Sequence, residues 1–121
     1  MKYIYLDTET TGLDSQRSDL IQVAFIIEEN GNEVGRLNLP IRPISFNVLS
    51  PDDDFLKIVN LTLEDIKGFN PAPMAYNQII NFLSRYIDRY NPNDKLIPIG
   101  HNVKFDLEFI RNWHKNSFRN L

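Results

Sequence analysis

Apolar positions recur at two different periods along this chain, and the change of period divides it in two. Residues 2–7 alternate loosely and are rich in Tyr, Ile and Leu, which predicts a strand. Residues 19–29, "DLIQVAFIIEE", form a near-continuous β-branched and aromatic run, the pattern of a long strand buried on both faces. Asn30-Gly31 follows, a two-residue turn signal between strand-like runs. "EVGRLNLPIRP" then alternates again as the return strand. Pro40 assigns it to a sheet edge, because proline brings no N–H to a ladder.

From Ser50 onward the period lengthens. "SPDDDFLKIV" reads as a short helix, with Ser50 as its cap, Pro51 in the first turn and Asp52–Asp54 at the positive end of its dipole. Metal ligation is the other reading of those three acids. In "TLEDIKG", Thr62 caps a second helix, Asp65 answers it three residues later, and Gly68 stops it. In "PMAYNQIINFLSRYIDRY", apolar residues at 76, 79, 80, 83, 86, 87 and 90 predict an amphipathic helix running as far as Asn91-Pro92. "KLIPIG" reads as a short strand, and Asn102 caps a last helix over roughly 103–115. Three strands, then helices, then a strand and a helix predict one α/β domain with a mixed sheet and helices packed on it.

Composition narrows the class. With 121 residues, 42% apolar and 24% charged, the chain reads as a single soluble domain. No run reaches the roughly 18 apolar residues of a membrane span. The first residues hold a lysine and then a strand-like run containing an acid, which is not a secretory signal. There is no cysteine, so disulfides and thiolate metal sites are excluded, and a cytoplasmic location is expected. The net charge of −3 is not that of a basic surface for polyanions. A nucleic-acid partner would need bound cations to supply positive charge. Lys104, Arg111, His114, Lys115 and Arg119 gather near the end, either as a solvated helix face or as a phosphate track.

The candidate chemistry begins at "YIYLDTETTG", residues 3–12. Residues two apart on a strand share a face, so Asp7 and Glu9 project side by side with Cα atoms roughly 6.5–7 Å apart. Two such carboxylates repel unless they are solvated, one is protonated, or a cation lies between them. A hard divalent ion takes oxygen ligands and meets that need. Asp106 lies inside the apolar stripe Phe105, Phe109, Ile110 and Trp113 of the last helix. A carboxylate there is costly without a partner. It is either a helix-start acid bonded to free N–H groups or a third metal ligand.

"LDTETTG" followed by "GHNVKFDLEFI" resembles the first two motifs of the DEDD (DnaQ-like) 3′–5′ exonucleases. The likeness is to the subgroup with a histidine base, which includes the epsilon subunit of DNA polymerase III and RNase T. The intervening "IVNLTLEDIKGFNPAPMAYNQIINFL" is similar to the family's stretch between those motifs. The resemblance implies an RNase H-like fold and two divalent ions, Mg²⁺ or Mn²⁺. It implies that Asp7 bridges both metals, that Glu9 ligates one and positions the attacking water or the 3′ hydroxyl, and that Asp106 binds the second. Thr8, Thr10, Thr11, Gly12, Leu13, Asn102 and Phe105 would then surround the terminal nucleotide. The implied activity is removal of nucleotides from single-stranded 3′ ends, DNA favoured. An exoribonuclease, or a module that grips a 3′ end or a protein partner without cutting, are the alternatives.

The family's third motif is a histidine five residues before an aspartate, and it has no counterpart here. His114 is followed by Arg119 at the required spacing. His101 stands five before Asp106, but that Asp already serves the second motif. Residues 1–121 are therefore expected to be a partial exonuclease domain lacking the C-terminal part of the fold. Its "KLIPIG" strand should form an open edge that invites self-association. Weak metal binding and little turnover are expected of it.

Overall fold

The computed structural model describes residues 1–14, 18–88 and 90–117. Three long strands come first: β1 (Lys2–Thr10), β2 (Leu20–Glu29) and β3 (Asn32–Pro40). A single 3₁₀ turn (Phe46–Val48) leads to the helices α1 (Asp54–Val59), α2 (Leu63–Lys67) and α3 (Ala72–Leu83). Strand β4 (Leu96–Ile99) and helix α4 (Val103–Ser117) complete the described part. The four strands lie in the order β3-β2-β1-β4, with β1–β2 and β2–β3 antiparallel and β1–β4 parallel. This is the predicted α/β architecture. Asn30 and Gly31, both at positive φ, turn the chain between β2 and β3 as expected.

The β1 strand runs on to Thr10 rather than ending at Asp7. Asp7 and Glu9 are thus inside the ladder, opposite Ala24 and Gln22. β2 departs from its expected burial. Ile21, Val23, Phe25 and Ile27 are buried, whereas Gln22, Ala24, Ile26 and Glu28 alternate with them and are only half covered. The sheet therefore has one packed face and one open face. The packed face joins Ile4, Leu6, Val23, Phe25, Ile27 and Leu39 to Ala75, Ile79 and Phe82 of α3 and to Phe109 and Trp113 of α4. A second cluster, Ile21, Phe55, Leu56 and Ile66, anchors α1 and α2. Burial of that much aliphatic and aromatic surface is the main stabilising term of the fold.

The helices differ from the sequence reading at their ends. α1 starts at Asp54, not at Ser50. Ser50 and Pro51 form a turn in which the Ser50 N–H donates to Asp53 Oδ2 at 2.8 Å. α2 carries the predicted reciprocal cap. Asp65 N–H donates to Thr62 Oγ1 at 3.1 Å, and Thr62 N–H donates to Asp65 Oδ2 at 2.9 Å. α3 ends at Leu83, well short of Asn91. Tyr86 leaves the helix to lie over Gly35, where a Cβ would fall 2.1 Å from its hydroxyl oxygen, and it donates to the Val34 carbonyl at 3.2 Å. Lys2 Nζ holds the same stretch, donating to the Tyr86 carbonyl at 2.8 Å and to Asp94 at 2.7 Å. Among the described residues, no helix is long and apolar enough to cross a membrane.

Candidate active site

The strand's period of two sorts the tripeptide Asp7-Thr8-Glu9. Asp7 and Glu9 point to the open face of the sheet, as the spacing predicts, with Asp7 exposed and Glu9 half-buried. Thr8 points the other way and is 8% exposed. There it meets α4. Its hydroxyl donates to Asp106 Oδ1 at 2.5 Å across 98 residues of sequence. The Thr8 side chain is thus taken up by a carboxylate between sheet and helix rather than displayed on the open face.

Asp106 is 5% exposed, on the face of α4 that also carries Phe109 and Trp113. Its backbone N–H donates to the Asn102 carbonyl at 3.2 Å within the first turn, while its side chain accepts from Thr8. Beside it lies Gly100, just after β4. A Cβ there would stand 2.9 Å from the Leu6 carbonyl oxygen and 3.6 Å from Asp106 Oδ2. Gly100 also lines a cavity of about 160 Å³ on the open face together with Asp7, Tyr5, Leu6, Ala24, Ile26 and Ile99. Gly100 thus borders both the cavity that Asp7 lines and the Asp106 carboxylate.

The charges register this approach. Burial pushes the Glu9 carboxyl above its ordinary range, and the charges of Asp7 and then Asp106 push it further. Asp106 is likewise raised, chiefly by burial. The Thr8 hydrogen bond opposes the rise, and the charge of Asp7 adds to it. Carboxylates from the start and the end of the chain are therefore near enough for their charges to act on one another. All the donors are oxygens, the ligand type that hard divalent cations take. Among the described residues, however, no three Asp, Glu or His side chains come close enough together to cage a cation as they stand. The donor chemistry fits such ions; the spacing is open.

The remaining predicted residues fall into two groups. Thr10, Thr11 and Gly12 are half-buried at the end of β1 and are tied into its loop. Thr10 Oγ1 donates to the Gly12 carbonyl at 2.6 Å, and Thr11 Oγ1 accepts from Asp19 N–H at 2.9 Å. Leu13, at 88% exposure, projects from the same loop. Asn102 is exposed in the turn before α4, with His101 beside it. Phe105 packs on Phe109, with ring centroids 4.7 Å apart, and is half-buried. Lys104 and Arg111 are exposed on α4, whereas the side chains of His114 and Lys115, and all of Arg119, lie outside the described residues.

The sequence reading missed a cleft of about 400 Å³ next to Glu9. Gln22 and Asn38 form its floor, their amides joined by a 2.6 Å hydrogen bond. Pro40, Val59, Leu61 and Phe69 form an apolar wall. No local pattern connects those residues, because the sheet brings three strands and the α1–α2 segment together there. Thr8, in contrast, could have been found by applying the strand period to every residue of the motif.

No protein-family model matches the chain. It is 26% identical over 113 residues to the PolC-type DNA polymerase III of Thermotoga maritima, covering 93% of this chain and 7% of that protein. The corresponding enzyme of Pediococcus pentosaceus is 26% identical over 109 residues, covering 90% of this chain and again 7% of the relative. The chain thus spans a small fraction of the length of the curated relatives it matches. Among solved structures, exonuclease I in its SSB-Ct complex superimposes with a TM-score of 0.73 at 21% identity, covering 97% of this chain and 24% of that one. E. coli exonuclease I with a dT13 oligonucleotide gives the same values. On this likeness the chain has the RNase H-like fold of exonuclease I.

Proposed function

We propose that this chain carries the carboxylate centre of a 3′–5′ exonuclease acting on single-stranded DNA. What supports the reading is that the charges of Asp7 and Asp106 reach Glu9, and that of Asp7 reaches Asp106, near the junction of β1, β4 and α4. An acidic protein gains nothing from such a cluster in its fold, since like charges in a partly buried site oppose folding. Two divalent ions held by these residues would supply Lewis acidity and charge balance for the scissile phosphate.

The chain's own residues divide the remaining work. Asp7 and Glu9 present ligand oxygens to the open face, and Asp106 presents one from the helix. The cleft beside Glu9 offers an apolar wall and an amide floor, a fit for a terminal nucleobase. The exposed Leu13 would pack against that base or its neighbour. DNA is favoured over RNA because the relatives are DNA polymerases and one fold neighbour holds a dT13 strand. A second reading, binding of a 3′ end without cleavage, is favoured by the open spacing of the acids among the described residues.

Thermal melts and a cleavage assay test the proposal together. Mn²⁺ should raise the melting temperature of the wild type, and Asp7→Asn should abolish the shift. Incubation of 5′-labelled oligo-dT with Mn²⁺ should give slow loss of single nucleotides from the 3′ end. A metal-dependent melt without any shortening would leave the binding module as the function. No shift in the wild type would contradict both.

A further inference from the structure

We propose that the cleft lined by Arg42 and Lys67 binds the phosphate backbone of a single strand, on the 5′ side of the nucleotide held beside Glu9. This rests on the nuclease reading above and adds the path of the strand. The cleft, about 410 Å³, lies between the segment after β3, the end of α2 and the start of α3. Pro43, Phe46, Pro71 and Pro73 wall it. Arg42 is half-buried and Lys67 exposed, and among the described residues neither makes an ion pair. No acid is among the residues lining this cleft, whereas Glu9 lines one neighbour, Asp7 another, and Asp88 with Asp94 a third. Two cations without a paired acid, in a chain of net charge −3, mark a place for an anion.

The backbone joins this cleft to the one beside Glu9. Ile41 forms a parallel bridge with Asn70. The Arg42 N–H donates to the Asn70 carbonyl at 2.8 Å, and Asn70 Nδ2 donates to the Pro40 carbonyl at 2.9 Å. Ile41 is fully buried, and residues two apart on an extended segment share a side, so Pro40 and Arg42 both lie opposite it. Pro40 and Phe69 line the Glu9 cleft. Arg42 and Pro71, each two residues further on, line the cationic one. The two clefts are therefore consecutive along one bridge. Asp19 ties the same segment to the loop that carries Leu13: its Oδ2 accepts from Ser45 N–H at 3.0 Å, and its N–H donates to Thr11 Oγ1 at 2.9 Å. A strand leaving the Glu9 cleft thus meets cations for its phosphates and an apolar wall for its sugar or base. That continuity favours a nucleic-acid strand over an acidic peptide.

Fluorescence anisotropy with labelled oligo-dT tests the proposal, in Mn²⁺ and with a phosphorothioate as the last linkage to slow cleavage. Wild type, Arg42→Ala, Lys67→Ala and Arg42→Lys are compared over a range of salt, each checked for a cooperative melt. Arg42→Gln takes the place of an Arg42→Ala that does not fold. Each alanine should weaken oligo-dT binding severalfold at low salt and flatten the plot of log K against log salt by roughly 0.7, the share of one phosphate on a single strand. Arg42→Lys should keep the wild-type slope. Thymidine monophosphate, which reaches only the Glu9 cleft, should bind all variants alike. Unchanged affinity and slope in both alanine variants would overturn the proposal and leave the nuclease reading standing. A Glu-rich peptide that binds the wild type but not the alanine variants, with oligo-dT unaffected, would overturn it in favour of a protein partner. A wild type that binds neither oligo-dT nor the mononucleotide would overturn both.

Discussion

Glu9 and Asp106 illustrate how a site can work against the fold that contains it. Both carboxyls bind protons more tightly in the folded chain than their ordinary values of 4.5 and 3.8. Between those values and the raised folded ones, the native state holds protons that the unfolded chain has lost, so stability falls as pH rises. Their contribution is fully present below the ordinary values and is lost as pH rises through the raised ones. Asp65 and Asp94, held low by Thr62 and by Lys2, titrate with the opposite sign at lower pH. The informative comparison is therefore between variants. Metal-free Glu9→Gln should melt higher than wild type at pH 7, and the gap should close toward pH 4. A gap that widens on acidification would show that the carboxyl is stabilised rather than strained in its ionised form.

At the scale of elements, capping is where sequence and structure can be compared most directly. Thr62 makes both bonds of its box, so Thr62→Ala should cost about 1 kcal/mol in urea or thermal unfolding. Ser50 is half-buried in the turn before α1 and its hydroxyl accepts only a long bond, 3.2 Å, from Asp52 N–H, so Ser50→Ala should change stability by less than about 0.5 kcal/mol. Equal losses would mean that the start of α1 has been misplaced. The strands, the hairpin and this cap were legible because each is fixed by residues close in sequence. The end of α3 was not. Its apolar period continues to Tyr90, but Tyr86 packs over Gly35 on β3 and donates to the Val34 carbonyl, contacts made outside the helix and far off in sequence. The half-open face of β2 was hidden for the same reason. An apolar run shows that a strand suits burial, and only the tertiary structure shows whether a second layer covers it.

At the scale of the whole molecule, the sheet has a packed face that holds the fold and an open face that carries the candidate chemistry. Asp7 and Glu9 could be placed on one side from the motif alone. The approach of Asp106 could not, because it depends on a parallel β1–β4 pair and on a glycine at its end. The open face also bears Tyr5, Ile97 and Ile99 beside the β4 edge, the surface expected to promote association. On the proposed reading, the net charge of −3 leaves cations to balance a bound phosphodiester. Anomalous diffraction from crystals soaked in Mn²⁺ tests that requirement most directly. The account predicts a manganese peak bound by carboxylate oxygens of Asp7, Glu9 and Asp106. Peaks only at other acids, with these three side chains turned apart, would contradict it.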